Sequence, residues 1–353
     1  MYRIIGTKIR KLREEVGLTQ VDLAKAVGLS SEFISLLELG RRAPSLESLS
    51  KIADYFEKDI SFFLTEKEEV FKLLLKQEGL DKKSKRLVKK FQKYCRDYLE
   101  LEELNGRGLN LAPVYTNITA HRMAEQERRR LGLGDEPIRN IFTLVELNGL
   151  RLWKAPIPEG LNISGIYIFI DLKQAAFAWI NSNLAPGQQA LTAAHEYGHY
   201  IKDRVDGPII DNTDIFIHDY LTLYPPREQF AQKFAISFLM PKDKVKEIID
   251  RDLGKTRLDL EDVLYLKRYF GISALTMLQA LRDMEYISQT RFKEYQKVDA
   301  DSREKALFQR LDLKEGRGRG RKIFVSERYI SLVLDAFNKK KINKERLDKL
   351  LHF

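Results

Sequence analysis

The first 64 residues alternate short amphipathic runs with turn residues. Apolar side chains recur at helical spacing, beginning with Ile5, Ile9 and Leu12, and a glycine follows each of the first three runs. Thr19 and Ser30 precede the second and third runs, where a hydroxyl can cap the first turn of a helix. The pattern predicts five short helices within residues 5–64.

Apolar residues keep helical spacing through residues 66–105, whereas residues 109–288 mix helical and strand patterns. The apolar runs at 165–170 and 176–180 are separated by a short polar turn, which favours a hairpin. We therefore expect a multidomain, mainly α protein that contains an α+β domain with a small antiparallel sheet. The expected segments are a helical bundle, a basic helical linker, the α+β domain and a basic helical C-terminal region, at residues 1–65, 66–108, 109–288 and 289–353.

The composition of the 353 residues is that of a globular protein, with 44% hydrophobic and 32% charged residues. No apolar run approaches the roughly 20 residues that a membrane-spanning helix needs. The single cysteine, Cys95, cannot form an internal disulfide, which suits a reducing compartment. These features predict a cytoplasmic protein without a membrane partner.

Positive charge is concentrated in two parts of the chain. Most of the net charge of +10 lies in residues 289–353, and residues 82–96 contain eight Lys and Arg residues but no acidic residue. Such a run either binds a polyanion or forms the solvated face of a helix.

Residues 195–199, with the sequence His-Glu-Tyr-Gly-His, lie on a long helix predicted near residues 188–203. His195 and His199 are four residues apart, so both imidazoles can reach one metal ion from the same helix face. Glu196 lies beside them, where a carboxylate can accept a proton from water at the metal. The alternative is a helix that happens to carry two surface histidines.

A catalytic zinc usually has a third protein ligand, and Glu228 on the next long helix is the leading candidate. Other acidic residues and one histidine lie between the two helices and compete with it. These competitors are Asp203, Asp211, Asp214, His218 and Asp219. The ligand set accepts Zn²⁺, and Mn²⁺ is the alternative ion.

The residues Leu18-Thr-Gln-Val-Asp-Leu-Ala24, Gly28-Leu-Ser30, Ile34-Ser35, Glu38 and Gly40 resemble an XRE-like (Cro/repressor-type) helix-turn-helix domain. The resemblance implies a five-helix DNA-binding bundle with a buried ion pair between Arg13 and Glu38, and paired operator half-sites imply a homodimer. It implies a phosphate contact at Gln20. It also implies a base-contacting face and flanking phosphate contacts at Ser31, Glu32, Ser35, Leu36, Arg41 and Arg42.

The chemistry of this face leaves an alternative open. It contains no Arg, Lys, Gln or Asn, the residues that make bidentate contacts with guanine or adenine. Glu32 can accept a hydrogen bond from cytosine but repels phosphate, whereas Leu36 can contact a thymine methyl group. Docking to a protein is therefore the second interpretation, and Arg41 and Arg42 are then merely solvated.

The motif at 195–199, together with Glu228-Gln-Phe-Ala-Gln-Lys-Phe-Ala235 and Leu239-Met-Pro241, resembles the ImmA/IrrE family of metallo-endopeptidases over about residues 115–245. The resemblance implies a gluzincin-like zinc site with Glu228 as third ligand. It also implies cleavage of a repressor or another regulatory protein in a stress, mobile-element or toxin–antitoxin response. Family members often carry Asn where this chain has Gln232, which can orient His195 or lie on the surface.

In the implied mechanism Glu196 accepts the proton of the attacking water and delivers it to the leaving amine. A further donor must stabilise the oxyanion, and the candidates on the intervening loop are His218, Tyr220 and Tyr224, each of which can instead be structural. Residues 166–170 or 176–180 can form an edge strand for an extended peptide. The alternative functions are a transcriptional regulator, or an antitoxin, whose peptidase-like domain senses a ligand or partner without proteolysis.

Overall fold

The computed structural model describes residues 2–64, 82–157, 163–170, 173–204, 209–212, 225–298, 302–303 and 324–351. The chain divides into two compact units, Met1–Lys72 and Leu73–Phe353. The finer four-part division stays a prediction. None of the described helices is long and apolar enough to cross a membrane.

Within residues 2–64, the part of the first unit that the structure describes, the chain forms a bundle of five short helices, as its apolar pattern predicted. Ile9 and Ile34 are fully buried in its core. Thr19 and Asp22 form a reciprocal capping box, and Ser30 caps the third helix. The helices are α1 (Tyr2–Glu15), α2 (Gln20–Val27), α3 (Ser31–Glu38), α4 (Leu46–Tyr55) and α5 (Ile60–Leu64).

A buried ion pair joins α1 to α3. Nε of Arg13 donates to Oε1 of Glu38 at 2.6 Å, and Nη2 of Arg13 donates to Oε2 at 2.9 Å. Arg13 also donates to the carbonyl of Leu18, and the amide of Gln20 donates to Oε2 of Glu38 at 2.8 Å. The ion pair that the resemblance implied is therefore confirmed, with Gln20 as an additional partner.

The described residues of the second unit contain a five-stranded sheet with helices packed against it. The strands are β1 (Leu150–Ala155), β2 (Ile163–Ile170), β3 (Ala175–Asn181), β4 (Ile209–Asn212) and β5 (Phe324–Val325). The helices are α6 (Lys82–Asn105), α7 (Ala120–Arg130), α8 (Ile141–Leu147), α9 (Pro186–Lys202), α10 (Pro226–Leu239), α11 (Lys242–Glu247), the π-helical turn Ile248–Leu253, α12 (Leu260–Phe270), α13 (Ala274–Asp283), α14 (Gln289–Gln296), α15 (Glu327–Asn338) and α16 (Lys344–Leu351).

The mainly α, multidomain fold class is confirmed, but the sheet is mixed and not antiparallel as expected. The order is β4-β2-β3-β1-β5, and β1 runs parallel to β3 while the other three pairings are antiparallel. The predicted hairpin of β2 and β3 exists, but β1 lies beside β3 on the side away from β2. Because β4 covers β2 and β1 covers β3, neither hairpin strand is an edge, which corrects the peptide-pairing strands proposed at 166–170 and 176–180.

Helix α6 and the C-terminal helices pack against the β1 side of this sheet. The hydroxyl of Tyr94 on α6 donates to the carbonyl of Leu152 at 2.8 Å, and its ring lies 5.1 Å from that of Tyr329 on α15. Nη2 of Arg151 donates to Oε2 of Glu102 at 2.6 Å, and both side chains are buried. These contacts fix one face of α6 against β1 and α15 within the second unit.

Removal of the buried cation in the first unit should destabilise that unit strongly. Arg13→Ala leaves the buried Glu38 carboxylate without a cation and with only the Gln20 amide as donor, and breaking a buried pair in this way costs about 3–5 kcal/mol. Hydrogen exchange of peptides from residues 2–64 of the full chain should therefore accelerate by more than about 100-fold.

Arg10→Ala is the matched control, because Arg10 forms its ion pair with Glu14 where both side chains are more than half exposed. Water screens such a pair, so exchange should change little. Equal acceleration in the two variants would contradict the stabilising role of the buried pair.

Candidate metal centre

Helix α9 carries the histidine motif through the interior of the second unit. His195, Glu196 and His199 have no exposed surface. A Cβ added at Gly198 would lie 2.8 Å from the ring of Phe234 on α10. Glycine at this position therefore allows α9 and α10 to pack closely, which offsets its low helix propensity.

The metal-ligating atoms of His195, His199 and Glu228 converge. The two Nε2 atoms are 3.1 Å apart, and Oε2 of Glu228 lies 3.3 Å from Nε2 of His195 and 3.2 Å from Nε2 of His199. Ligands about 2.0–2.1 Å from a tetrahedral zinc are separated by about 3.3 Å, so the three atoms already have the spacing of such a site. Glu228 reaches this point from the first turn of α10, which begins at Pro226.

Hydrogen bonds on the outer ring nitrogens determine where the histidine protons lie. Nδ1 of His195 faces Oε1 of Gln232 at 3.2 Å, and Nδ1 of His199 faces Oδ2 of Asp203 at 3.1 Å. Both oxygens only accept hydrogen bonds, so each Nδ1 carries a proton and donates it. In the neutral rings both Nε2 atoms then direct lone pairs toward the Glu228 carboxylate, and this group of acceptors suits a cation.

Glu228 is ionised in this arrangement. Burial raises the pKa of its carboxyl group, whereas hydrogen bonds from His195 and His199 in their protonated form, and the charges of those rings, lower the pKa far below the usual range. Nε of Arg227 donates to its other oxygen, Oε1, at 3.1 Å. One carboxylate oxygen is thus held by Arg227 while Oε2 faces the histidines.

Gly165 of β2 provides the space that the Glu196 carboxylate occupies. A Cβ added there would lie 1.9 Å from Oε1 of Glu196 and 2.7 Å from Cγ2 of Thr192. The backbone of β2 therefore packs closely against α9 at Glu196, the carboxylate of the motif that can act as a base.

A buried hydrogen-bond network that the sequence analysis missed joins α9 to α7. Tyr197, inside the histidine motif, donates to Oε1 of Glu127, which also accepts from Arg130 at 2.6 Å. Tyr115 donates to Oε2 of Glu127 at 2.9 Å. Burial raises the pKa of Tyr197, and burial followed by the bond to Glu127 raises the pKa of Tyr115 to about 12. An acidic residue next to three consecutive arginines was the only sequence signal of this network.

The structure describes two of the five competing third ligands, Asp203 and Asp211. Asp203 contacts the outer nitrogen of His199, so it positions that ring and does not share the convergence point. Asp214, Asp219 and the three candidate oxyanion donors lie outside the described residues; those donors are His218, Tyr220 and Tyr224. Asp211 lies on β4 opposite Gly165. Within the described part of the chain, His195, His199 and Glu228 form a group that can hold a metal ion.

The predicted DNA-contacting residues lie on and around α3. Ser31 and Glu32 are exposed in its first turn, whereas Ser35 and Leu36 are half-buried. Arg41 and Arg42 are exposed, and the Arg42 guanidinium lies 4.7 Å from the centre of the Phe33 ring. The amide of Gln20 is bound to Glu38. Phosphate and base contacts by these residues stay predictions.

A methyl group at Gly165 should strain the centre. Gly165→Ala forces the Glu196 carboxylate or β2 to move, and such overpacking costs about 1–3 kcal/mol. Gly108→Ala is the control, because a Cβ there meets nothing within 4 Å and the residue does not have positive φ. Urea unfolding followed by the fluorescence of Trp153 and Trp179 compares the two; an unchanged midpoint in Gly165→Ala would contradict the close approach.

Comparison with protein families gives two matches. A family described as helix-turn-helix matches residues 9–63, and a family described as IrrE N-terminal-like domain matches residues 164–282. The first match spans the bundle of the first unit. The second includes β2, the histidine motif and the helix that carries Glu228.

Curated relatives match the first unit. An uncharacterised HTH-type transcriptional regulator of Archaeoglobus fulgidus is 42% identical over 66 residues, which are 18% of this chain and 94% of that protein. HTH-type transcriptional regulator PrpR of Mycobacterium tuberculosis is 38% identical over 58 residues, 16% of this chain and 12% of that protein.

Among solved structures, Bacillus thuringiensis PlcR in complex with the peptide PapR7 and DNA aligns with 96% of this chain and 99% of its own, at 13% identity and a TM-score of 0.18. An alignment with so low a score carries no structural argument. The family and sequence matches confirm both resemblances: the chain belongs to the XRE-type helix-turn-helix regulators and carries an ImmA/IrrE-like domain in its second unit.

Proposed function

We propose that this protein is a DNA-binding regulator whose second unit is a zinc-dependent endopeptidase that cleaves a repressor or another regulatory protein. The observation that carries the proposal is the convergence of His195, His199 and Glu228, with Glu196 on the helix that carries the two histidines. The helix-turn-helix unit supports binding to an operator. Stress, mobile-element or toxin–antitoxin control is the proposed setting, and the cytoplasm the proposed location.

The donor set fits zinc. Two neutral imidazoles and one carboxylate are a common protein ligand set for catalytic Zn²⁺, and three electron-pair donors that face one another without an intervening proton favour a cation. Gln232 and Asp203 keep the rings in the required tautomer. The same donors accept Mn²⁺, so the identity of the ion is part of the proposal.

When bound, the ion supplies a Lewis acid that activates water and polarises a peptide carbonyl. Glu196 accepts the proton of the attacking water and transfers it to the leaving amine. Burial of Glu196 between α9 and Gly165 fixes the carboxylate for both transfers. His218, Tyr220 and Tyr224 remain the proposed donors to the oxyanion.

An extended substrate has a suitable docking strand in β4. Among the described strands β4 is an edge of the sheet, and its Asp211 is paired with Gly165, the residue that contacts Glu196. A peptide that adds to this edge pairs with β4 through backbone hydrogen bonds, and β4 alone then separates it from β2, the strand that contacts the proposed base. A homodimer that binds paired half-sites is the proposed DNA-binding state.

Elemental analysis tests the ligand set. We expect about one zinc per chain, lost in His199→Ala and Glu228→Gln, because each variant removes a donor. Asp203→Asn should weaken zinc affinity by about 10- to 100-fold, since it changes the partner of a ligating ring. His121→Ala, which alters an exposed histidine paired with Glu125, should retain zinc. A chain that stays metal-free in excess zinc and in excess manganese would rule out the peptidase.

Glu196→Gln separates proteolysis from regulation by binding alone. The variant should keep its zinc and DNA binding but lose proteolysis, because the amide cannot accept the proton. Sequencing of protein N-termini in cells that express either form should find a regulator cut by the wild type and intact with the variant. Identical N-termini and identical transcriptional effects in both would favour the non-proteolytic regulator or antitoxin.

A further inference from the structure

We propose that helix α6 forms a second DNA-contacting surface, which holds the phosphate backbone of the duplex bound by the helix-turn-helix unit. The inference rests on the DNA binding proposed above and extends it from the first unit to the second.

The surface, here called the basic face, consists of Lys82, Lys85, Arg86, Lys89 and Arg96. All five side chains are exposed. At 3.6 residues per turn they fall within an arc of about 100° on α6, and at 1.5 Å per residue they extend over about 21 Å of helix. No acidic residue occurs between positions 82 and 96, so the charge of the face is not interrupted along the chain.

The opposite side of α6 keeps the basic face directed outward. Val88, Phe91, Tyr94 and Tyr98 are buried on that side, and the Tyr94 hydroxyl is bound to the β1 backbone. Rotation of the helix would expose these four side chains to water at a cost of about 1.5–3 kcal/mol each. The cations are therefore presented by a helix with a fixed orientation in the second unit.

Among polyanions, duplex DNA is the ligand that the basic face of this chain fits best. The first unit is nearly neutral, with ten basic and nine acidic residues in positions 1–65, and the face of α3 that is expected to contact bases has no cation. Phosphate neutralisation supplies essentially all non-specific DNA affinity, so a bundle of this charge gains little of it. The basic face supplies the missing cations over a length that corresponds to about six phosphates of one strand at 3.4 Å each.

Chain connectivity makes the second contact intramolecular. Seventeen residues separate the end of α5 from the start of α6, and even a fully extended segment of this length spans at most about 60 Å. A duplex held by the first unit therefore stays at high local concentration near the basic face, which raises overall affinity without a new partner.

The test is fluorescence anisotropy of the full chain with a labelled 40-base-pair duplex of mixed sequence over a salt series. The variant combines Lys82→Gln, Lys85→Gln, Arg86→Gln and Lys89→Gln. The control removes the same charge from exposed residues elsewhere in the second unit, by Lys242→Gln, Lys246→Gln, Arg257→Gln and Lys293→Gln.

Each lost phosphate contact lowers the slope of log K against log salt by about 0.9. The variant should therefore lose about 3–4 from the slope and bind at least tenfold more weakly at 100 mM salt, whereas the control should lose less than one. Should the fourfold variant not fold, Lys89→Glu alone should reduce affinity several-fold, with Lys293→Glu as its control.

Single-stranded RNA and phosphatidylserine vesicles are titrated in the same salt series. Three results would overturn the inference. These are an unchanged slope with duplex DNA in the variant, an equal loss in variant and control, and a loss found only with the RNA or the vesicles. If the wild type binds the duplex and the variant binds it equally well, the proposed DNA binding by the first unit still stands and only the role of the basic face is disproved. A wild-type chain that binds no duplex removes both proposals.

Discussion

Inside the second unit, two imidazole rings and a carboxylate direct their lone pairs at one point, and neighbouring groups hold them there. Gln232 and Asp203 each accept the outer ring proton, so a neutral His195 or His199 cannot turn its proton toward Glu228 without losing that hydrogen bond. Acceptors held together in a low-dielectric interior repel one another unless a cation lies between them. Metal affinity and the stability of the α9–α10 interface should therefore be linked, since an ion that binds only the folded site stabilises it.

This convergence requires a rigid surround. Tyr197 anchors the middle of α9 to Glu127 on α7, Gly198 lets α10 approach, and Gly165 brings β2 against Glu196. Each of these residues lies on a regular helix or strand and brings a neighbouring element close to the histidine motif. Sites built on regular elements hold their geometry more closely than sites on loops, which suits proton transfer.

Local sequence patterns predicted the parts of the protein that depend on local geometry. The capped helices of the first unit and the spacing of His195 and His199 follow from the helical repeat, and the pairing of His199 with Asp203 has the same four-residue spacing. Strands β4 and β5, of four and two residues, escaped prediction because such short edges are formed by backbone pairing and leave no periodicity. The parallel pairing of β1 with β3 also escaped prediction, because it joins segments about 25 residues apart and leaves no local pattern in the sequence.

The second unit carries the positive charge that the first unit lacks. The first unit has a DNA-binding fold but almost no net charge, and the second has a cationic helix. The inner face of α6 packs on β1, which continues through β3 to β2 and the Glu196 carboxylate, so packed elements connect the basic face to the metal centre. If DNA on α6 changes the affinity for a peptide at that centre, the peptide must change the affinity for DNA by the same factor. The effect of an operator on peptide affinity and the effect of the peptide on operator affinity are then two measurements of one coupling free energy.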